Sequence, residues 1–308
     1  MVLLGCRPYA PYSPSALRVV RPGLTPLPGT ATGDNADGGS YDPVMGIGVD
    51  HAPVALVSGS AVGIGRALCA ALAGRGMHVV GFDLDAVENA ATAEACGGAM
   101  VPVTCDIGDA GAVKRAVDEV VDRAGRIDLV VNNAALFNDT TLLGGGYDQQ
   151  VAAWHRCLDA ILHGAFHLAA AAAPTMIAAG SGDVVNVITD HIRPTHLITG
   201  MIATGYDAGK FGLWRLTENW AVELGRHGVR VNGLAFGATD TPMLRGVAPH
   251  VAATAMRPEQ VADAVCAIVD QGPDGPTGRV HDFGFTGTPH DEVQRQIAAI
   301  RAMRSDPV

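Results

Sequence analysis

The chain has 308 residues, 48% hydrophobic and 17% charged, with 39 glycines and a formal net charge of −10. That length holds one large α/β domain or two small ones, and the composition suits a sizeable core joined by many tight turns. The acidic balance argues against a nucleic-acid surface, the six scattered cysteines form no Cys-x-x-Cys pair and fit a reducing cytoplasm without zinc or disulfides, and no run reaches the ~18 apolar residues of a membrane span.

Residues 1–50 stand apart. They are rich in proline, then in glycine and small polar residues, with no amphipathic period. They read as a disordered extension. Leu3-Leu4-Gly5-Cys6 resembles a lipid-attachment box, but no basic or apolar segment precedes it. Arg7, Arg18 and Arg21, with no acid before Asp34, leave a transit peptide as an alternative, and Met45 offers a second start.

The stretch Val54 to Asp85 organises the rest of the chain. An apolar run, Val54 to Val57, reads as a buried strand. Gly59-x-x-x-Gly63-x-Gly65 comes next, then a helical pattern to Ala73, then a second apolar run from Met77 to Phe82 ending in Asp83. Strand, glycine turn, helix, strand and acid form a βαβ unit for a dinucleotide. The glycines let the backbone lie close to a pyrophosphate, and the helix N-terminus points unpaired N–H groups at it. Asp83 is placed to accept hydrogen bonds from ribose hydroxyls. A phosphate-binding P-loop needs Gly-Lys-Ser/Thr, and Gly65 is followed by Arg66-Ala67.

The alternation continues. A helix over 85–96 leads to a third strand, 99–105, ending in Asp106-Ile107. Asp106 can meet an adenine amino group; equally, Asp106 or Asp109 can cap the helix 110–124. A fourth strand, 127–131, ends in Asn132-Asn133-Ala134-Ala135. The long helix 148–179 is apolar on more than one face, so it is either sandwiched in the core or buried between subunits. A fifth strand, 183–188, ends at Thr189; a helix over 205–227, a sixth strand over 229–234, a helix over 258–270 and a short strand over 278–283 complete the pattern. Strands alternating with helices imply a doubly wound parallel sheet in three αβα layers, with ligands at the carboxyl ends of the strands. Asp83, Asp106, Asn133, Thr189 and Thr239 all fall at or just past such ends. The expected division is an extension over 1–50, a nucleotide-binding catalytic domain over 51–290 and a helical tail over 291–308.

Tyr206 and Lys210, at i and i+4, share one helix face. A tyrosine near pKa 10 is a poor base at neutral pH. A neighbouring ammonium and a positive nicotinamide ring both favour the phenolate, and lowering the phenol by two or three units corresponds to about 3–4 kcal/mol. Thr189 can hydrogen-bond the same substrate oxygen. His191, His196 and His250 are too dispersed for a metal site, and no Gly-x-Ser-x-Gly elbow supports hydrolysis.

These motifs together resemble the short-chain dehydrogenase/reductase family over about residues 52–287: Gly59-x-x-x-Gly63-Ile64-Gly65, Asp106, Asn132-Asn133-Ala134-Ala135, Tyr206-x-x-x-Lys210, Arg230-Val231-Asn232 and Thr239-Asp240-Thr241. The resemblance implies a single-domain Rossmann fold. It implies that Tyr206 is the catalytic acid/base, that Lys210 lowers its pKa and holds the nicotinamide ribose, and that Thr189 takes the place of the family's serine. It assigns the cofactor to Gly59, Gly63, Ile64, Gly65, Asp83, Asp106, Ile107, Asn133, Ala134, Tyr206, Lys210 and Gly237, with Thr239 and Thr241 on the carboxamide. It also implies a homotetramer or dimer through the helices near 150–180 and 205–225. The departures are Thr189 for serine, a longer stretch between Thr189 and Tyr206 carrying His191, Arg193 and His196, Ile161 where the family's relay asparagine stands, and Phe236-Gly237 for Pro-Gly. Asp159 or His163 could replace that asparagine through water.

Asp83, with Val62 before Gly63 and Leu84 after the acid, favours NAD over NADP. The expected activity is interconversion of a secondary alcohol and a ketone in the cytoplasm, with no metal, nucleic acid or membrane involved. Residues 242–257 read as a short lid whose Met243, Leu244 and Val247 suit a partly apolar substrate; Arg193 and Arg245 are the candidates for meeting a carboxylate. A second reading, an impaired NAD-binding sensor or scaffold, rests on Ile161 and Thr189.

Overall fold

The computed structural model describes residues 51–137, 142, 145–192, 203–282 and 290–302. The extension over 1–50 therefore lies outside the described residues. Among those described, seven strands form one parallel sheet: β1 (Val54–Ser58), β2 (His78–Asp83), β3 (Met100–Thr104), β4 (Leu129–Asn132), β5 (Gly182–Val187), β6 (Val229–Ala235) and β7 (Val280–Asp282). Their spatial order is β3-β2-β1-β4-β5-β6-β7. The order reverses between β1 and β4, which opens a crevice at their carboxyl ends.

The strands are continuous apolar runs because both faces are covered. Leu56, Val80, Phe82, Val130, Val184 and Val231 point into one core; Ala55, Val57, Val79, Leu129, Val131 and Val185 point into the other. The first core is closed by α3 (Ala110–Ala124), α5 (Gly164–Ala179) and α6 (Thr204–Gly225), and the second by α1 (Gly63–Ala73), α9 (Pro258–Val269) and α10 (His290–Ala302). The three-layer αβα, doubly wound Rossmann arrangement read from the sequence is the one observed. Each fully buried Leu or Val in these layers contributes about 1.5–3 kcal/mol of transfer free energy.

Local chemistry sets the boundaries. Asp85 caps α2 (Ala86–Ala95) by accepting from Glu88 N–H at 3.0 Å. Asp109 caps α3 by accepting from Gly111 and Ala112 N–H at 2.8 and 3.0 Å. Asp106 lies before that helix, and its carboxylate accepts the nearby Gly108 N–H at 2.8 Å rather than an N–H of α3, so of the two candidates the cap is Asp109.

The long helical stretch is one rod, α4 (Tyr147–Leu158) and α5 joined by a π-helical turn over Asp159–His163. By length and composition these 33 residues would suffice to cross a membrane. Here Cys157, Ile161, Leu168, Ala172 and Met176 are buried, against α3, α6 and the sheet, while Phe166 and Ile177 on the same rod stay exposed, so one face of it serves the core. Of the segment 242–257, α7 (Pro242–Val247) and α8 (Pro249–Ala252) are short helices. At the far end α10 packs on α9 through buried Val293, Ile297 and Ile300.

Candidate active site

The glycine turn lies where β1 hands over to α1. Gly59 and Gly63 take φ of +68° and +56°, a region costly for residues with a Cβ. Gly65 has ordinary φ but no room: a Cβ there would lie 1.8 Å from the Gly59 carbonyl oxygen. The turn and the helix therefore touch backbone to backbone. Helices α2, α3 and α7 are each capped by a side-chain oxygen, whereas α1 begins after Val62 with no side-chain cap and no acid in its first turn. Its first N–H groups and dipole point at the crevice, which suits an anion such as a pyrophosphate.

Asp83 ends β2 beside this turn. Its carboxylate accepts Ala61 N–H at 2.9 Å and Asp85 N–H at 3.0 Å, so the acid is held in place with lone pairs to spare. Arg66 is turned away from the crevice role a 2′-phosphate would ask of it. Its guanidinium donates to the Ala61 carbonyl at 2.7 and 3.0 Å, to Thr92 Oγ1 at 3.0 Å and to Glu88 at 2.6 Å.

Across the switch point, Asn133 Nδ2 donates to the Ser58 and Gly59 carbonyls at 3.0 and 3.1 Å. Ser58 Oγ accepts the N–H groups of Asn133 and Ala134 at 3.0 and 3.1 Å. These bonds clamp the end of β4 onto the glycine turn. Beneath them runs a buried chain: Asn132 Nδ2 to Asn186 Oδ1 at 2.8 Å, Asn186 Nδ2 to Thr217 Oγ1 at 2.9 Å, and Thr217 to the Leu213 carbonyl at 2.9 Å. It fastens β4, β5 and α6 together just below the site.

Thr239 and Thr241 follow β6. Thr239 is buried and donates to the Gly237 carbonyl at 3.3 Å; Thr241 caps α7, and its methyl lies over Gly63. The loop after β6 thus meets the glycine turn. Ile64 packs on the second core. Ile107 is a core side chain whose carbonyl bonds His167 Nδ1 at 3.0 Å. Asp106 is exposed.

Thr189, Tyr206 and Lys210 come together at the carboxyl end of β5. Lys210 is 1% exposed, donates to the Val187 carbonyl at 2.6 Å and lies 5.7 Å from the Tyr206 ring centre. Thr189 hydrogen-bonds the Tyr206 hydroxyl. The electrostatics depart from the sequence expectation. Burial alone lowers Lys210 to about 7. Burial likewise pushes the Tyr206 phenol above its ordinary range; the Thr189 bond works against that, while the Asp207 and Asp190 carboxylates add to it. Burial and the two carboxylates thus outweigh the Thr189 bond, and the tyrosine is not lowered in the chain by itself.

The site also holds Phe137, which motif reasoning missed, and His191, which the sequence placed only in the longer stretch before Tyr206. Phe137 meets Tyr206 edge-on at 5.1 Å, and His191 does so at 5.9 Å. His191 Nδ1 pairs with Asp207 at 2.9 Å. Ile161 is 1% exposed, on the π-helical turn, and packs on Gly209 next to Lys210. Asp159 and His163, the suggested substitutes for an asparagine there, pair with each other at 2.8 Å and are half-exposed. Arg245 is held by Asp240 at 2.6 and 2.7 Å, and Arg193 and His196 lie outside the described residues.

Comparison with known proteins agrees with this geometry. The short chain dehydrogenase family model matches residues 53–252. The chain is 30% identical over 244 residues to the 3-oxoacyl-(acyl-carrier-protein) reductase FabG of Thermotoga maritima, covering 74% of this chain and 94% of that protein. It is 32% identical over 250 residues to the cis-4-hydroxycyclohexanecarboxylate dehydrogenase of Sinomonas cyclohexanicum, covering 76% and 96%. A solved short-chain dehydrogenase/reductase from Burkholderia xenovorans matches with a TM-score of 0.67 at 30% identity, covering 76% of this chain and 95% of that one. The chain belongs to the short-chain dehydrogenase/reductase family of oxidoreductases, which act on CH–OH or ketone groups with a nicotinamide cofactor.

Proposed function

We propose that residues 51–290 form an NAD-dependent dehydrogenase that interconverts a secondary alcohol and a ketone, with Tyr206 as the acid/base. The observation that carries this reading is the meeting of Thr189, Tyr206 and buried Lys210 beside the glycine cradle. In oxidation, Tyr206 takes the alcohol proton, Thr189 holds the same oxygen, and Lys210 supports the phenolate. The nicotinamide ring supplies the acceptor for the carbon-bound hydride and, when bound, adds a positive charge that favours the phenolate. With the cofactor bound, Thr189 would then act together with that charge in lowering the phenol.

The cradle residues take the cofactor: Gly59, Gly63, Ile64 and Gly65 at the pyrophosphate, Asp83 at the adenosine ribose, Asp106 and Ile107 near the adenine, and Asn133 and Ala134 along the crevice. Gly237, Thr239 and Thr241 serve the nicotinamide end. NAD is favoured over NADP because Asp83 repels a 2′-phosphate and Arg66 is committed to Ala61 and Glu88. Exposed Met243 and Val247, with Phe137 beside Tyr206, favour a partly apolar alcohol. The cyclic alcohol named for the Sinomonas relative makes cyclic substrates the first to try. The half-exposed Phe166 and Phe211 and the exposed Val222 on α5 and α6 support self-association into a dimer or tetramer. Free thiols at Cys69, Cys96, Cys105, Cys157 and Cys266 support a cytoplasmic location. The sensor reading is not favoured, since both hydroxyls and the lysine are in place.

The test is NADH formation across a panel of linear and cyclic secondary alcohols, with NADP in parallel. Turnover with NAD is the expected result. Preference for NADP would overturn the reading of Asp83.

A further inference from the structure

Between Thr189 and Tyr206 the chain makes a 3-10 turn, Asp190–Ile192, that sets a histidine against the reacting tyrosine. The His191 ring meets the Tyr206 ring at 5.9 Å and 71°. Its Nδ1 pairs with Asp207 Oδ1 at 2.9 Å, and its side chain is only 15% exposed. Its main-chain N–H points to Thr189 Oγ1 at 3.4 Å. One residue therefore touches Thr189, Tyr206 and Asp207 together.

We propose that His191 is a positioning residue that screens the Asp207 carboxylate from Tyr206 and fixes the Thr189 hydroxyl against the phenol. The inference rests on the reading of Tyr206 as acid/base. Three observations carry it. Asp207 directly follows Tyr206, and a carboxylate so close opposes formation of a phenolate. The imidazole Nδ1 bonded to that carboxylate occupies one of its oxygens and disperses its charge. The His191 N–H occupies a lone pair of Thr189 Oγ1, which leaves the Thr189 proton to serve the Tyr206 oxygen. Phe137 adds a second edge contact to the phenol ring, so the ring is restrained as well as tuned.

The described charged groups around Tyr206 are few. The turn brings Asp190, buried and raising the phenol as Asp207 does. Helix α6 brings Asp207 and Lys210. The π-helical turn brings Ile161, which carries no charge and no hydrogen bond to offer. Among these, His191 is the group bonded to Asp207.

The test uses the full chain as wild type, His191→Ala, His191→Gln, Asp207→Asn and the double variant His191→Ala/Asp207→Asn, with Tyr206→Phe as reference. Two readouts are taken: the pH profile of kcat with saturating NAD and a secondary alcohol, and the ultraviolet difference titration of Tyr206 in the NAD complex. His191→Ala exposes the carboxylate and should move the tyrosine titration up by about one pH unit, with about ten-fold loss of kcat at neutral pH. The KM for NAD should not move. Asp207→Asn should move the titration down, and the double variant should return towards wild type. His191→Gln keeps a donor for Asp207 and should recover part of the loss. A role confined to pinning the turn onto α6 would shift His191→Ala and Asp207→Asn in the same direction or leave the titration unmoved, and either result overturns the proposal. Wild type that binds NAD but turns over no alcohol would overturn the dehydrogenase reading, while the titration would still decide the role of His191.

Discussion

Replacing Lys210 by methionine should abolish turnover and yet stabilise the fold. Lys210 is 1% exposed, and burial lowers it from 10.5 to about 7. At pH 8 the unfolded chain carries that lysine charged, while the folded chain holds it largely neutral. A difference of about 3.5 units corresponds to at most about 5 kcal/mol against folding. Methionine has nearly the same length and no charge to desolvate. Against that gain stands the loss of the 2.6 Å bond to the Val187 carbonyl, worth about 1–3 kcal/mol. At pH 7, where most of that penalty applies, the net expectation for Lys210→Met is about 1–3 kcal/mol of added stability, or several degrees in Tm at about 2–4 °C per kcal/mol. The sign with pH comes from linkage. The folded pKa is depressed, so between pH 7 and 10.5 the unfolded state binds the extra proton, and wild-type stability should rise with pH across that window. The variant should lack that rise. Urea unfolding of both proteins at pH 7, 8.5 and 10 measures it. A variant less stable than wild type, or with the same pH slope, would refute the account of Lys210 as a charge strained by burial.

Burial, together with Arg279 and Arg230, lowers His281 to about 4, and its Nε2 has no hydrogen-bond partner. Its contribution to stability is present above pH 6.5 and lost as the pH falls towards 4, a change of about 3 kcal/mol. Asp183, raised by burial to about 6, acts in the opposite direction across the same range, so the readout is the stability of wild type minus that of His281→Asn, measured by urea unfolding. Gly65→Ala should weaken NADH binding at least about ten-fold, or about 1.4 kcal/mol, because its Cβ would strike the Gly59 carbonyl at 1.8 Å; fluorescence titration checks it. Asp83→Ser should lower the preference for NAD over NADP by about ten-fold or more, read from paired kcat/KM values.

Much of the fold was legible because parallel strands covered on both faces read as apolar runs. Val54 to Val57 and Asp183 to Ile188 announce β1 and β5 within a residue or so. The cap on α3 was not settled by sequence. Asp106 and Asp109 are both good cap residues, and only the turn geometry selects Asp109. The cradle glycines and the Tyr206–Lys210 spacing were readable because each is set by local backbone geometry. The direction of the tyrosine pKa was not, since it depends on burial and on carboxylates whose distance no spacing reveals. The pairing of His191 with Asp207 spans a segment of no regular period, so it emerges only from the folded chain. The same holds for Asn132, Asn186 and Thr217, joined from three separate elements.

The central claim is that Tyr206 moves the substrate proton. Its most direct test is Tyr206→Phe, which removes one hydroxyl and keeps the ring contacts to Phe137 and His191. With the alcohol that wild type oxidises best, kcat should fall by about 10²–10⁴-fold while NADH binds as tightly as before. A variant that keeps its turnover would contradict the account.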